Sequence, residues 1–239
     1  MGAIYLATLQ QLTGRWRLLV MLVLAAMPVL VTAAMLGNAH APAVRNFEMA
    51  VLSAMLAGSI APLVVLAIAA PAFGNEVEDR TLANLVLSPL PRWQIVVPKL
   101  LATLSIAGPF VLASALVTSW MAYLGDPRAM LAVSLACLAA VALYAAAFLW
   151  LGLSSPQAIG LGLLYVVLWE GFFSGFVAGV RALSIRYHAI SLMHAIDPRR
   201  FADAKAEPPS VAVAGAIALL VLAGFLLLTV RKLRRMDVP

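Results

Sequence analysis

Apolar residues in this chain run rather than alternate. Near-uninterrupted stretches cover Leu18–Leu36, Met49–Phe73, Leu100–Leu124, Ala129–Leu153, Ala158–Val180 and Val211–Val230. About 20 such residues cross a hydrocarbon core as an α-helix. The pattern therefore predicts an all-α polytopic membrane protein, with six transmembrane helices in a single transmembrane domain over residues 1–239. Charges and helix breakers collect in the intervals Gly37–Glu48, Gly74–Lys99, Gly125–Arg128, Ser154–Gln157 and Arg181–Ser210. The N-terminal segment, residues 1–17, is weakly amphipathic. It places Ile4, Tyr5, Thr8, Leu9 and Leu12 on one helical face, which predicts an interfacial helix.

Composition agrees with the pattern and narrows it. Hydrophobic residues make up 64% of the chain and charged residues 11%, with a mean hydropathy of +1.02. A soluble domain carries about 25% charged residues, and a globule of this size could not hide the imbalance. A soluble enzyme and a disordered or collagen-like chain are excluded. Arg15 and Arg17 before the first stretch, and Ala39-His40-Ala41 after it, resemble a secretory signal. The apolar core Leu18–Leu36 is longer than the usual ~7–15 residues of such a signal, so it reads as a retained span.

The net charge is +6 and the pI about 10.0. In a membrane protein such charge fixes topology and meets lipid headgroups rather than nucleic acid. Arg15, Arg17, Arg80, Arg92, Lys99, Arg231, Lys232, Arg234 and Arg235 place both termini in the cytoplasm of a multi-pass protein in the inner (cytoplasmic) membrane. The first two outer loops then hold only Arg45 and Arg128. The last outer loop, with Arg181, Arg186, Arg199, Arg200 and Lys205, runs against the bias. Trp16, Trp120, Trp150 and Trp169 fall near span ends, as an aromatic belt does. Pro28, Pro62 and Pro109 lie inside spans, where each removes a backbone donor. The single cysteine, Cys137, lies in an apolar run and reads as a small buried hydrophobe.

The longest inner loop, residues 74–99, carries the most information. Glu76, Glu78 and Asp79 lead, and Leu82, Leu85 and Val86 follow at helical spacing. Ser88-Pro89-Leu90-Pro91 then stops the run. The pattern predicts a short amphipathic helix over Thr81–Ser88, with acids suited to its positive N-terminus. Lys99 begins the next span and could snorkel. By pattern alone the loop is either a docking helix for a soluble partner or a solvated connector.

The run Glu76-x-Glu78-x-Arg80-Thr81-Leu82, then Leu87-Ser88-x-x-x-Arg92 and Lys99, resembles the membrane subunits of ABC-2-type ABC transporters. The six-span layout, with both termini inside, fits the same family. The heme-exporter membrane subunit of cytochrome c maturation has a similar acidic-then-leucine loop. The resemblance implies that Glu76–Ser88 is a cytoplasmic coupling helix with an acidic lead-in, docked in a groove of an ATP-binding subunit. Glu76, Glu78, Asp79, Arg80, Thr81, Leu82, Leu85, Val86, Ser88 and Arg92 would form that contact. It also implies a homodimer beside two ATP-binding subunits, exporting a lipid-like, drug-like or other amphipathic substrate. ATP and Mg2+ would sit in the partner subunit. A phosphate-binding loop needs a lysine preceded by glycine. Lys99, Lys205 and Lys232 follow Pro98, Ala204 and Arg231, so this chain is not expected to be an enzyme.

Glu170 lies well inside the fifth span, where a carboxylate is costly and a functional candidate by default. It could line a path, pair with an arginine or carry a proton. It could equally make a structural hydrogen bond before Gly171. Gly171, Gly175 and Gly179 recur every fourth residue and invite close helix packing, within the chain or between copies. The segment 171–210 reads as re-entrant or surface-lying outer helices, which accounts for its arginines. His188 and His194 are spaced for neither a helix face nor a strand face, so no metal site is expected. Two other functions remain open at this point. One is an ATP-independent transporter or channel using Glu170, and the other is a non-transporting assembly protein.

Overall fold

The computed structural model describes residues 2–37, 47–79, 81, 90–173, 184–201 and 210–235, and these are all-helical. In order they form α1 (Gly2–Leu12), α2 (Arg15–Leu36), π1 (Glu48–Ile60), α3 (Ala61–Glu78), α4 (Trp93–Ala122), α5 (Pro127–Ser154), α6 (Ala158–Leu164), π2 (Tyr165–Phe173), α7 (Ile185–Ile196) and α8 (Val211–Arg235). Helix is the form such apolar segments must take in lipid, where every backbone group has to be satisfied within the segment.

Five of these helices are long and apolar enough to cross a bilayer: Arg15–Leu36, Ala50–Glu78, Trp93–Ala122, Pro127–Ser154 and Ala212–Arg235. They answer to five of the six expected spans. The remaining stretch, Ala158–Val180, is helical over α6 and π2, and its end lies outside the described residues. The loop expected from Gly74 starts later. The helix continues through Glu78, and Trp93 already begins α4.

The turn between α4 and α5 shows how sequence sets a boundary. Leu124 (φ 51°) and Gly125 (φ 79°) both take left-handed backbone, which glycine adopts without penalty. Asp126 then caps α5 by accepting from the Arg128 backbone N–H at 3.0 Å, and Pro127 occupies the first turn.

α5 is the hub, packing against α3, α4, α7 and α8. Two thirds of the most apolar window of α5 is buried within the chain, against 11% for α8. Alanines and glycines let the central helices approach closely. A Cβ on Gly152 of α5 would collide with the Ala70 carbonyl of α3, and one on Gly162 of α6 with the Leu66 side chain. α1 is separated from α2 at Thr13-Gly14 and lies on α4, with Thr8 and Leu12 buried and Ile4 and Leu9 packed beside them. That is the face its periodicity predicts.

Candidate functional site

Two polar arrangements stand out in this apolar bundle. The first joins the two helices that flank residues 79–92. Lys99, one turn and a half into α4, is fully buried. Its ammonium donates to Glu76 Oε1 at 2.6 Å and to the Ala72 carbonyl, and lies 4.6 Å from the centre of the Phe73 ring. Lys99 therefore does not snorkel toward the surface. It turns inward and ties the last turns of α3 to the first turns of α4. A buried charge persists only where it is paired and hydrogen-bonded, and this lysine has a carboxylate, a carbonyl and an aromatic face.

The second arrangement surrounds Glu170, also fully buried. Its Oε1 accepts from the Tyr165 hydroxyl at 2.8 Å and from the Ile185 backbone N–H at 3.1 Å. Its Oε2 accepts from Ser184 Oγ at 2.6 Å. Ser184 is the N-cap of α7, and its Oγ also accepts from the Tyr187 N–H at 3.2 Å. The carboxylate thus sits at the N-terminus of α7, where the helix dipole favours an anion.

Arg186 completes the cluster. It donates from Nε and Nη2 to Ser53 Oγ at 3.2 and 2.8 Å, and from Nη1 to the Glu170 carbonyl at 3.2 Å. Burial pulls its guanidinium below the ordinary value, and Glu170, then Tyr144, pull it back up. Gly58 makes room for this side chain, since a Cβ there would lie 2.9 Å from Arg186 Cδ. Ser53 and Gly58 both belong to π1, so the wide helix presents its polar and open positions to Arg186. An apolar cleft of about 430 Å³ lies beside the cluster, with Phe148, Tyr165, Ile185 and Phe225 in its wall.

α7 leads from this cluster to the far end of the bundle. There Phe201 packs edge-on against Tyr123 with ring centres 5.6 Å apart, and Arg200 pairs with Asp126 at 3.3 Å. Tyr123 also donates to Glu48 Oε1 at 3.3 Å. Burial, and next the Glu48 carboxylate, push its phenol well above the usual value.

Of the residues that the sequence grouped, the described ones take different environments. Glu76 is drawn into the bundle by Lys99, whereas Glu78 and Asp79 are exposed at the end of α3 and Thr81 is exposed beyond it. Arg92 precedes α4, and its carbonyl accepts from Ile95 and Val96. Arg80, Leu82, Leu85, Val86 and Ser88 lie outside the described residues, as do Gly175 and Gly179. Gly171 faces outward, and the nearest atom a Cβ would meet there is the Val166 carbonyl oxygen at 3.6 Å. Among the described glycines, Gly58, Gly152 and Gly162 make the close approaches, and no regular spacing marks them. No family model matches the chain, and no curated protein matches it.

Proposed function

We propose that the chain is the membrane subunit of an ATP-driven transporter of the ABC-2 type, working as a dimer beside two ATP-binding subunits. The observation that carries this reading is the buried Lys99–Glu76 pair. A loop that receives force from a soluble partner needs a stiff base, and this pair joins the two helices that flank residues 79–92. Glu78 and Asp79 stand exposed immediately before the leucine run, as a docking element requires. In this reading Thr81–Ser88 is the coupling helix, both termini are cytoplasmic, Ala158–Val180 is the fifth of six spans, and α7 dips inward from the outer face. The cargo is amphipathic or lipid-like, since the cleft beside the Glu170 cluster is apolar-walled. Direction outward follows the family resemblance. The hydrogen bonds that occupy both oxygens of Glu170 support a structural role for that carboxylate over an ion-carrying one.

Co-purification of the full chain with candidate ATP-binding subunits encoded beside it, followed by ATPase and transport assays, tests the reading. A complex should form, and Leu82/Leu85/Val86→Ser should abolish it without impairing membrane insertion. A triple variant that still bound its ATPase and transported at the normal rate would remove the basis for the assignment.

A further inference from the structure

A second apolar cleft, of about 470 Å³, opens on the side of the bundle between α2 and α4. Leu22, Ala26 and Val29 form one wall, and Pro109, Ala113 and Val117 form the other. It is open to the bilayer, since Leu22, Ala113 and Val117 are all exposed. Small side chains at Ala26 and Ala113 leave the space.

The chemistry changes just beyond the cleft. Arg15, in the first turn of α2, precedes Leu22, Ala26 and Val29 by steps that keep all four on one helical face. Arg15 is exposed, and the first turn of α2 contains no acidic residue. On α4, one turn before Pro109, Ser105 Oγ accepts from the Tyr5 hydroxyl of α1 at 3.0 Å in an exposed position. Pro109 has no N–H, so the Ser105 carbonyl also loses its helical donor. The cleft itself is hydrocarbon, and the helix surface beyond one end of it carries a cation and hydroxyls.

The dimensions suit one leaflet. Arg15 to Leu22 is about 10 Å of helix and Leu22 to Leu30 about 12 Å more. A leaflet contributes about 15 Å of a ~30 Å hydrocarbon core, with the headgroup beyond it. We infer that this cleft is a binding site for one membrane phospholipid with an anionic headgroup, its phosphate at Arg15 and an acyl chain between α2 and α4. The site is independent of what the protein transports.

The test is the lipid retained by the full-length protein, purified in mild detergent from vesicles that mix phosphatidylglycerol and phosphatidylcholine and quantified by mass spectrometry. About one phospholipid per chain should remain, enriched in phosphatidylglycerol. Arg15→Gln should reduce that enrichment about fivefold, the effect of one arginine at an anionic surface. Ala26→Trp, at a partly lipid-facing position that tolerates bulk, should reduce total retained lipid while leaving the headgroup preference of what remains unchanged. Ala113→Trp fills the cleft from the opposite wall and serves if the first variant misfolds. Retention of the same lipid by the filled and charge-neutralised variants would overturn the proposal. So would efficient disulfide cross-linking of Ala26→Cys between two chains, since the cleft would then be covered by a second copy. Failure to bind an ATPase would leave this inference intact.

Discussion

Ser184 Oγ donates to Glu170 Oε2 at 2.6 Å, so the cap of one helix is bound to the sole carboxylate buried along π2. The same carboxylate takes the first free N–H of α7, at Ile185. Glu170 therefore decides where α7 begins. Glu170→Gln removes the charge and turns a donor toward other donors. Hydrogen bonds to a charged group contribute about 1.5–3 kcal/mol, and a loss of that order should appear as a lower thermal midpoint in detergent. The pH dependence of transport should be unchanged. Wild-type stability together with abolished transport would instead make Glu170 part of the pathway.

Lys99→Met should destabilise the protein by about 3 kcal/mol or more, because it leaves the Glu76 carboxylate largely buried without its cation. Adding Glu76→Gln to that variant should restore part of the loss. Thermal unfolding of the single and double variants measures the coupling. Additive losses would mean that the two side chains do not act together.

Gly152→Ala and Gly171→Ala should part company. Alanine improves helix propensity by about 1 kcal/mol, and at the outward-facing Gly171 nothing opposes that gain within the chain. At Gly152 the new methyl meets the Ala70 backbone, so the helices must separate. Expression and detergent stability should fall for Gly152→Ala and hold for Gly171→Ala. Equal behaviour of the two would show that α3 and α5 are not held this close in the membrane.

Reporter fusions after Met236 and within Gly125–Arg128 should report opposite sides of the membrane. Matching signals from both would contradict the topology in which six spans place both termini in the cytoplasm.

Much of the helical layout was legible because lipid imposes it. A long apolar run has one available conformation in a bilayer, and the predicted face of α1 (Thr8 and Leu12 inward) needed only helical periodicity. Cys137 is buried, as its apolar surroundings predict. The site was less legible. Ser53 and Arg186 are 133 residues apart, and nothing local in either segment points to the other. Glu76 reads as surface-bound because acids follow it, yet its partner, Lys99, lies 23 residues on and pulls it inward. The close approaches within the chain were hidden in a different way. Regular spacing drew attention to Gly171, Gly175 and Gly179, of which only Gly171 is described, while the close approaches at Gly152 and Gly162 depend on which helix lies opposite.

The contact between Gly152 and Ala70 limits how this bundle can move. Where side chains separate two helices, rotamer changes can widen or narrow the gap. Here backbone rests on backbone, so no rotamer can absorb a change in spacing. Closing the gap is sterically forbidden, and opening it empties a dry seam along α3 and α5. Sliding along the common axis would bring a Cβ-bearing neighbour of Gly152 onto the Ala70 carbonyl, so the register is fixed as well. α3 and α5 therefore move as one body rather than against each other, and the Lys99 pair carries α4 with them.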